Sequence, residues 1–93
     1  MSASAERLVT VGPKVGLHAR PATVFVHAAT AAAGHEVRLE RPDNGASADG
    51  RSVLAVMALS AHHGDRLRLT VTGDDADRVA SQLAALVEAE ETQ

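Results

Sequence analysis

The sequence predicts an α+β fold in which one β-sheet is covered on a single face by three helices. Strand patterns and helix patterns alternate along the 93 residues in the order βαββαβα. Three of the strands present one apolar face, and each helix carries one apolar stripe. A two-layer sandwich buries all of these apolar surfaces together. The chain is short enough to form one domain over residues 1–93, with frayed ends expected at residues 1–5 and 91–93.

The first part of the chain predicts a strand followed by a helix. Leu8–Val11 is mostly β-branched and precedes the turn-rich segment Gly12–Leu17, which indicates a short strand and a loop. Gly34 ends the helix at the position where a left-handed cap is usual. The helix is indicated by five apolar residues that recur on one face, namely Ala22, Phe25, Val26, Ala29 and Ala33.

A hairpin pattern comes next. Glu36–Glu40 alternates strictly, which predicts a second strand with Val37 and Leu39 on its buried face. Asn44-Gly45 indicates the hairpin turn, and Ala46–Asp49 is a weak third strand.

The last part of the chain predicts a helix, a strand and a final helix. Ser52 caps a short helix that runs from Val53 to about Leu59, and the alternation over Arg66–Val71 predicts the fourth strand. The final helix starts at Gly73-Asp74-Asp75. Its apolar stripe consists of Val79, Leu83, Leu86 and Val87. The uncovered face of the sheet would carry Arg38, Glu40, Arg66 and Arg68.

Composition argues against several classes of function. The net charge is −3 with both signs mixed, so the basic block of a nucleic-acid-binding protein is missing. Phe25 is the only aromatic residue, which leaves no stacking platform for single-stranded nucleic acid. The chain has no cysteine, so it can form neither a disulfide nor a thiolate metal site. The polar segment Met1–Leu8 and the lack of a long apolar run predict a soluble intracellular protein without membrane insertion. We expect it to be cytoplasmic and monomeric.

The residues around His18 combine a nucleophile with an anion site. His18 stands at the cap position of the first helix, and neutral imidazole is a competent nucleophile near pH 7. Pro21 is tolerated in the first turn because first-turn amides have no partner within the helix. The amides of Ala19, Arg20 and Ala22 are then expected to be free to bind an anion, which the helix dipole favours by about 0.3–1 kcal/mol. The Arg20 guanidinium adds a positive fork suited to phosphate oxygens.

The chemistry of this segment suggests a carrier rather than an enzyme. The sequence shows no general acid, metal ligand or substrate pocket near His18, and the nitrogen–phosphorus bond of a phosphohistidine is easily transferred. Adjacent His62 and His63 do not by themselves form a metal site, so we expect neither a metal nor a cofactor. From spacing alone, a histidine before a helix is also compatible with a plain cap or surface residue.

The segment Gly16–Val24, with the sequence GLHARPATV, resembles the active-site segment of the HPr family. These proteins are the histidine-containing phosphocarriers of the bacterial phosphoenolpyruvate:sugar phosphotransferase system. The resemblance extends from about Leu8 to Glu88 and includes Asn44-Gly45, Gly50–Met57 and the closing Gly-Asp-Asp helix. The His-Ala-Arg-Pro motif is specific in this context.

The resemblance implies an open-faced sandwich whose antiparallel sheet has the strand order 1-4-2-3. His18 would accept a phosphoryl group on Nδ1 from phosphorylated enzyme I and donate it to a histidine of an enzyme IIA. Arg20 would match the active-site arginine of the family. The chain differs from the family in length between His18 and Ser52, with the surplus expected at Ala31–Gly34 and Arg41–Asp43. The geometry of residues 31–45 is therefore left open.

The short helix after Ser52 is apolar all round, although a helix on a sheet buries only one face. Exposed apolar patches often mark docking sites, and Met57 can adapt to several partners. The resemblance implies that Leu54 and Met57 dock against enzyme I and enzyme IIA, while Val53 and Val56 turn inward. A helix covered by a neighbouring loop is the alternative.

Ser52 has two interpretations. Its role as an N-cap, worth about 1 kcal/mol, is enough to explain the residue. It also matches the serine that a dedicated kinase phosphorylates in many Gram-positive relatives, where the phosphate would add negative charge to the docking surface.

Two alternatives to the sugar phosphocarrier stay open on sequence. One is a regulatory carrier of the same family that serves a nitrogen or transcriptional branch, since it would use the same motif. The other is an interaction module that is not phosphorylated and binds through the apolar helix. His18 and Arg20 together argue against the module.

Overall fold

The computed structural model describes residues 3–89, and the element order predicted from the sequence is confirmed. The elements are β1 (Ala3–Thr10), α1 (Ala19–Ala31), β2 (Glu36–Glu40), β3 (Ser47–Asp49), α2 (Val53–Ala58), β4 (Arg66–Gly73) and α3 (Ala76–Glu88).

The four strands form one antiparallel sheet in the order β1-β4-β2-β3. β4 lies between β1 and β2, and its inward residues Leu67, Leu69 and Val71 are fully buried. Val37 and Leu39 of β2 lie on the same buried face, as the alternation predicts. The charged residues of β2, which alternate with these two, face away from the core. The open-faced sandwich implied by the resemblance is confirmed.

The helices supply the other layer of the core. Phe25 is 1% exposed and packs in one cluster with the inward residues of the sheet. The buried stripe of α1 is Ala22, Phe25, Val26 and Ala29, and that of α3 is Ala76, Val79, Ala80, Leu83 and Val87. Leu86, predicted for the α3 stripe, is only partly buried against this cluster.

The first strand is longer than predicted. β1 begins at Ala3 instead of Leu8, because β4 extends to Gly73 and pairs with the additional residues: Ala3 lies opposite Gly73 and Ala5 opposite Val71. Fraying at residues 3–5 was therefore a wrong expectation. Residues 1–2 and 91–93, also expected to fray, lie outside the described residues.

The first helix is shorter than predicted. It ends at Ala31, where the Ala32 amide donates to the Ala29 carbonyl at 3.3 Å in a tighter turn. Ala33 consequently leaves the buried stripe and is exposed. Gly34 adopts the expected positive φ of 79°, but in the turn after the helix instead of at its cap.

The β2–β3 connection forms a turn around Asn44-Gly45, as predicted. The Gly45 amide donates to the Arg41 carbonyl at 2.8 Å, and the Arg41 amide donates to the Ala46 carbonyl at 2.8 Å. The Asn44 side chain accepts a hydrogen bond from the Ala46 amide at 2.8 Å. β3 begins one residue later than predicted, at Ser47, because Ala46 still belongs to this turn.

Candidate functional site

His18 is the N-cap residue of α1. Its backbone is extended, with φ −102° and ψ −164°, and its side chain makes no capping hydrogen bond. The imidazole is exposed at the surface. The ring is therefore available for chemistry and does not cap the helix.

The amides that follow His18 form the open amino end of α1. Among the described residues, the amides of Ala19 and Arg20 have no hydrogen-bond partner, as expected for the first turn of a helix. The third amide expected to be free is that of Ala22, and this expectation was wrong. The Ala22 amide donates to the His18 carbonyl at 2.9 Å, because it is the first amide that the helix can pair internally.

The loop before His18 is held by contacts with Ala61. Leu17 is buried, and its amide donates to the Ala61 carbonyl at 3.0 Å. Gly16 has a φ of 74°, and a Cβ at this position would collide with the Ala61 carbonyl oxygen. This turn thus requires glycine both for its backbone conformation and for the close approach of residue 61.

Arg20 is exposed in the first turn of α1. No hydrogen bond or ion pair to its guanidinium occurs within residues 3–89. Its charge lies at the positive end of the helix dipole, so this end of the molecule is suited to an anion.

A shallow concavity of about 290 Å³ lies beside His18. Its lining consists of Val15, Leu17, His18, Met57, Ser60, Ala61 and His62. The structure therefore brings Met57 to the neighbourhood of His18. Val15 is 60% exposed and was missed by the sequence reasoning, although an apolar side chain within a Gly/Pro-rich loop before His18 could have indicated it.

α2 exposes Leu54, one of the two residues predicted to dock. Leu54 is 81% exposed, whereas Val56 is fully buried. Met57 is half-buried, and Val53, expected to turn inward, is also only partly buried. The apolar surface of α2 is therefore not covered by a loop at Leu54.

Ser52 is the N-cap of α2, as predicted. Its hydroxyl oxygen accepts a hydrogen bond from the Ala55 amide at 3.1 Å. The side chain is half-buried in this position. The capping role is thus met by the structure, independently of any modification.

Arg41 and Asp65 hold the loop of residues 59–65, part of which lines the concavity. Asp65 accepts hydrogen bonds from the His62 amide at 2.9 Å and from the Arg41 guanidinium at 3.2 Å. The His62 amide and Arg41 together hold the pKa of Asp65 below its ordinary value of 3.8. The Arg41 guanidinium likewise lowers the pKa of Asp43. These carboxylates are therefore charged around neutral pH.

Two further findings bear on the kind of site. Within residues 3–89, no three histidine or acidic side chains converge in a way that could hold a metal ion. Over the same residues, none of the helices has the length and apolarity needed to cross a membrane.

The family model, the similar sequences and the similar structures all identify one family. The family model described as "PTS HPr component phosphorylation site" matches residues 5–89. The phosphocarrier protein HPr of Streptomyces coelicolor is 43% identical over 83 residues, which cover 89% of this chain and 87% of that protein. HPr of Haloferax volcanii is 42% identical over 78 residues, covering 84% of this chain and 86% of that protein. The crystal structure of HPr from Bacillus anthracis superposes with a TM-score of 0.83 at 32% identity, covering 91% of this chain and 98% of the other.

Proposed function

The chain belongs to the HPr family of the phosphotransferase system, and on this premise we propose that it is a phosphocarrier that receives a phosphoryl group on His18 and passes it to another protein. The observation that carries the proposal is the exposed imidazole of His18 at the N-cap of α1, next to the unpaired amides of Ala19 and Arg20.

The transfer step needs little more than this geometry. The lone pair of His18 Nδ1 attacks phosphorus while the bond between phosphorus and the donor's histidine nitrogen breaks, and the donor nitrogen keeps that electron pair. The His18 ring then releases its Nε2 proton to solvent, and the donor's imidazole takes up one proton, so both rings end neutral. Onward transfer repeats the exchange with His18 as the leaving group. Phosphoryl transfer of this kind depends mostly on positioning and on charge stabilisation.

The open end of α1 stabilises the group that His18 has received. The phosphoryl oxygens can accept hydrogen bonds from the amides of Ala19 and Arg20, and the helix dipole favours their charge by about 0.3–1 kcal/mol. The Arg20 guanidinium supplies a charge-assisted hydrogen bond of the kind that phosphate prefers. Because these groups lie at the surface, they can hold the phosphoryl group without sealing it from the next acceptor.

We propose enzyme I as the donor and enzyme IIA domains as the acceptors, with the chain acting as a monomeric carrier in the cytoplasm. The exposed Leu54 and the half-buried Met57 are proposed to form the contact with both partners. A serine kinase acting on Ser52 would place negative charge at the start of α2, beside this contact.

Labelling with phosphoenolpyruvate and enzyme I tests the proposal. Intact-mass spectrometry is expected to show one acid-labile phosphoryl group on the wild-type chain and none on the His18→Ala variant. His27→Ala is the matched control, since His27 is an exposed histidine on the same helix and this variant is expected to label fully. Labelling of His18→Ala would refute the site, and a wild-type chain that does not label would favour the interaction module.

A regulatory carrier of the same family would use the same chemistry as a sugar phosphocarrier, so only the proteins that each one binds can distinguish them. Affinity capture with the phosphorylated chain is expected to recover enzyme IIA domains of sugar permeases. Recovery of nitrogen-branch or transcriptional regulators instead would assign the chain to the regulatory carrier.

A further inference from the structure

Arg41 joins its own turn to a segment that lies 18 to 24 residues later in the chain. Its side chain is only 15% exposed, although it lies in the turn between β2 and β3. Its Nη1 donates to the carbonyls of Leu59 and Ser60 at 3.3 and 3.2 Å and to Asp65 Oδ2 at 3.2 Å. Its Nε and Nη2 donate to the two carboxylate oxygens of Asp43 at 3.2 and 3.0 Å. One guanidinium therefore holds the end of α2, the loop after it and its own turn.

The segment that Arg41 holds is the loop of residues 59–65. Ser60 has a φ of 54°, the only positive φ of a non-glycine residue between residues 3 and 89, so the surrounding contacts must hold it there. Arg41 binds the Ser60 carbonyl directly. Asp65 accepts from both Arg41 and the His62 amide, which fixes the far end of the same loop.

This loop in turn fixes the segment that ends at His18. The Ala61 carbonyl accepts from the Leu17 amide at 3.0 Å, one residue before His18. The Val11 amide donates to the Asp65 carbonyl at 2.8 Å, and the Gly64 amide donates to the Val11 carbonyl at 2.9 Å. The loop also forms one wall of the concavity beside His18. A continuous set of hydrogen bonds thus leads from Arg41 to the backbone that presents the imidazole.

We propose that Arg41 is a positioning residue for phosphoryl transfer, acting on His18 through the loop of residues 59–65 and the Ala61–Leu17 hydrogen bond. The inference rests on the proposed function, since it concerns the same reaction. Arginine suits the role because its planar fork donates to several acceptors at fixed angles, which a lysine ammonium cannot reproduce. Arg41 does not reach the concavity and is not assigned any contact with the phosphoryl group.

The test compares Arg41→Gln with Arg38→Gln. The control removes the same charge from a neighbouring exposed arginine, whose guanidinium donates only to Ser47 Oγ among the described side chains. A misplacement of about 1 Å can slow a reaction about 100-fold, and we expect the partial loosening in Arg41→Gln to slow transfer from phosphorylated enzyme I about tenfold. The loss is expected in the maximal rate and not in the KM for enzyme I. Arg38→Gln is expected to remain within about twofold of wild type.

Amide NMR separates positioning from general stability. In Arg41→Gln, hydrogen-exchange protection of the Leu17 amide is expected to fall and the His18 resonances to shift, while the amides of Val71 and Leu83 in the core keep their protection. Equal loss of protection in the core, or unchanged Leu17 and His18 signals, would overturn the proposal. So would a maximal rate equal to that of the control.

A milder variant covers the case in which Arg41→Gln folds poorly. Asp65→Asn keeps an oxygen that can accept from His62 but removes the ion pair with Arg41, and it is expected to slow transfer about threefold with the same shifts at Leu17. An unchanged rate and unchanged shifts in this variant count against the role of Arg41. The NMR readout needs no phosphorylation, so a wild-type chain that does not label would refute the proposed function, while the link from Arg41 to His18 would still be tested.

Discussion

The Ala22 amide donates a hydrogen bond to the His18 carbonyl at 2.9 Å, so the residue that bears the candidate nucleophile is also the first hydrogen-bond acceptor of α1. The backbone of His18 therefore moves with the helix. The amides of Ala19 and Arg20 lie between His18 and Ala22 in the same first turn of α1. The backbone that carries the imidazole and the two amides of the anion site thus belong to the same helix end before any phosphoryl group arrives.

Arg20→Ala is expected to slow phosphoryl transfer about tenfold, because it removes a charge-assisted hydrogen bond worth about 1.5 kcal/mol at an exposed site. Its free energy of unfolding should change by less than about 0.5 kcal/mol, since the Arg20 guanidinium makes no hydrogen bond or ion pair within residues 3–89. Quenched-flow transfer from enzyme I and urea denaturation measure the two effects, with Arg38→Ala as control. A large loss of stability at an unchanged rate would contradict the assigned role.

Leu54→Ala is expected to raise the KM for phosphorylated enzyme I about fivefold, which corresponds to about 1 kcal/mol of lost contact. Its stability should hardly change, because the side chain is 81% exposed in the free protein. Leu8→Ala is the matched control, since Leu8 is another exposed leucine, 55% exposed, on β1. Equal KM values for the two variants would remove Leu54 from the docking surface.

Ser52→Asp and Ser52→Asn separate capping from regulation. Both side chains can accept from the Ala55 amide, so both variants should keep the cap, which is worth about 1 kcal/mol. Only Ser52→Asp adds a negative charge at the start of α2, and it is expected to slow transfer relative to Ser52→Asn. Denaturation curves and transfer rates check these outcomes. Equal rates would indicate that charge at residue 52 does not control docking.

Stability is expected to fall in acid through the Asp43 and Asp65 carboxylates. Their pKa values lie below the ordinary 3.8, so the folded chain binds these protons more weakly than the unfolded chain. Their contribution is full above the unfolded pKa and is lost as the pH falls from about 5 through the folded values. Urea denaturation across this range should show a shallower pH dependence for Asp65→Asn than for wild type. The control variant Asp74→Asn, at an exposed residue before α3, should keep the wild-type slope.

Most of the fold could be predicted because the local patterns agree with the tertiary structure. β2 and β4 alternate strictly, and the cap at Ser52 is a local contact. The first strand was underestimated because Ala3 and Ala5 carry too little apolar surface to mark a strand, and their pairing depends on the length of β4.

The site was predictable to a similar extent. His18 and Arg20 lie in one continuous segment, so their spacing and their resemblance to a known family could be read directly. The ion pair between Arg41 and Asp65 joins residues that are 24 positions apart, and no periodic pattern indicates it. Tertiary contacts of this kind become visible only when the chain is folded.

Amide NMR of the phosphorylated chain tests most directly whether the open end of α1 holds the phosphoryl group on His18. After labelling with phosphoenolpyruvate and enzyme I, the largest changes in amide chemical shift are expected at Ala19 and Arg20, with a phosphorus coupling to His18 Nδ1. A phosphoryl group on another residue, or one on His18 that leaves both amides unchanged, would contradict this arrangement.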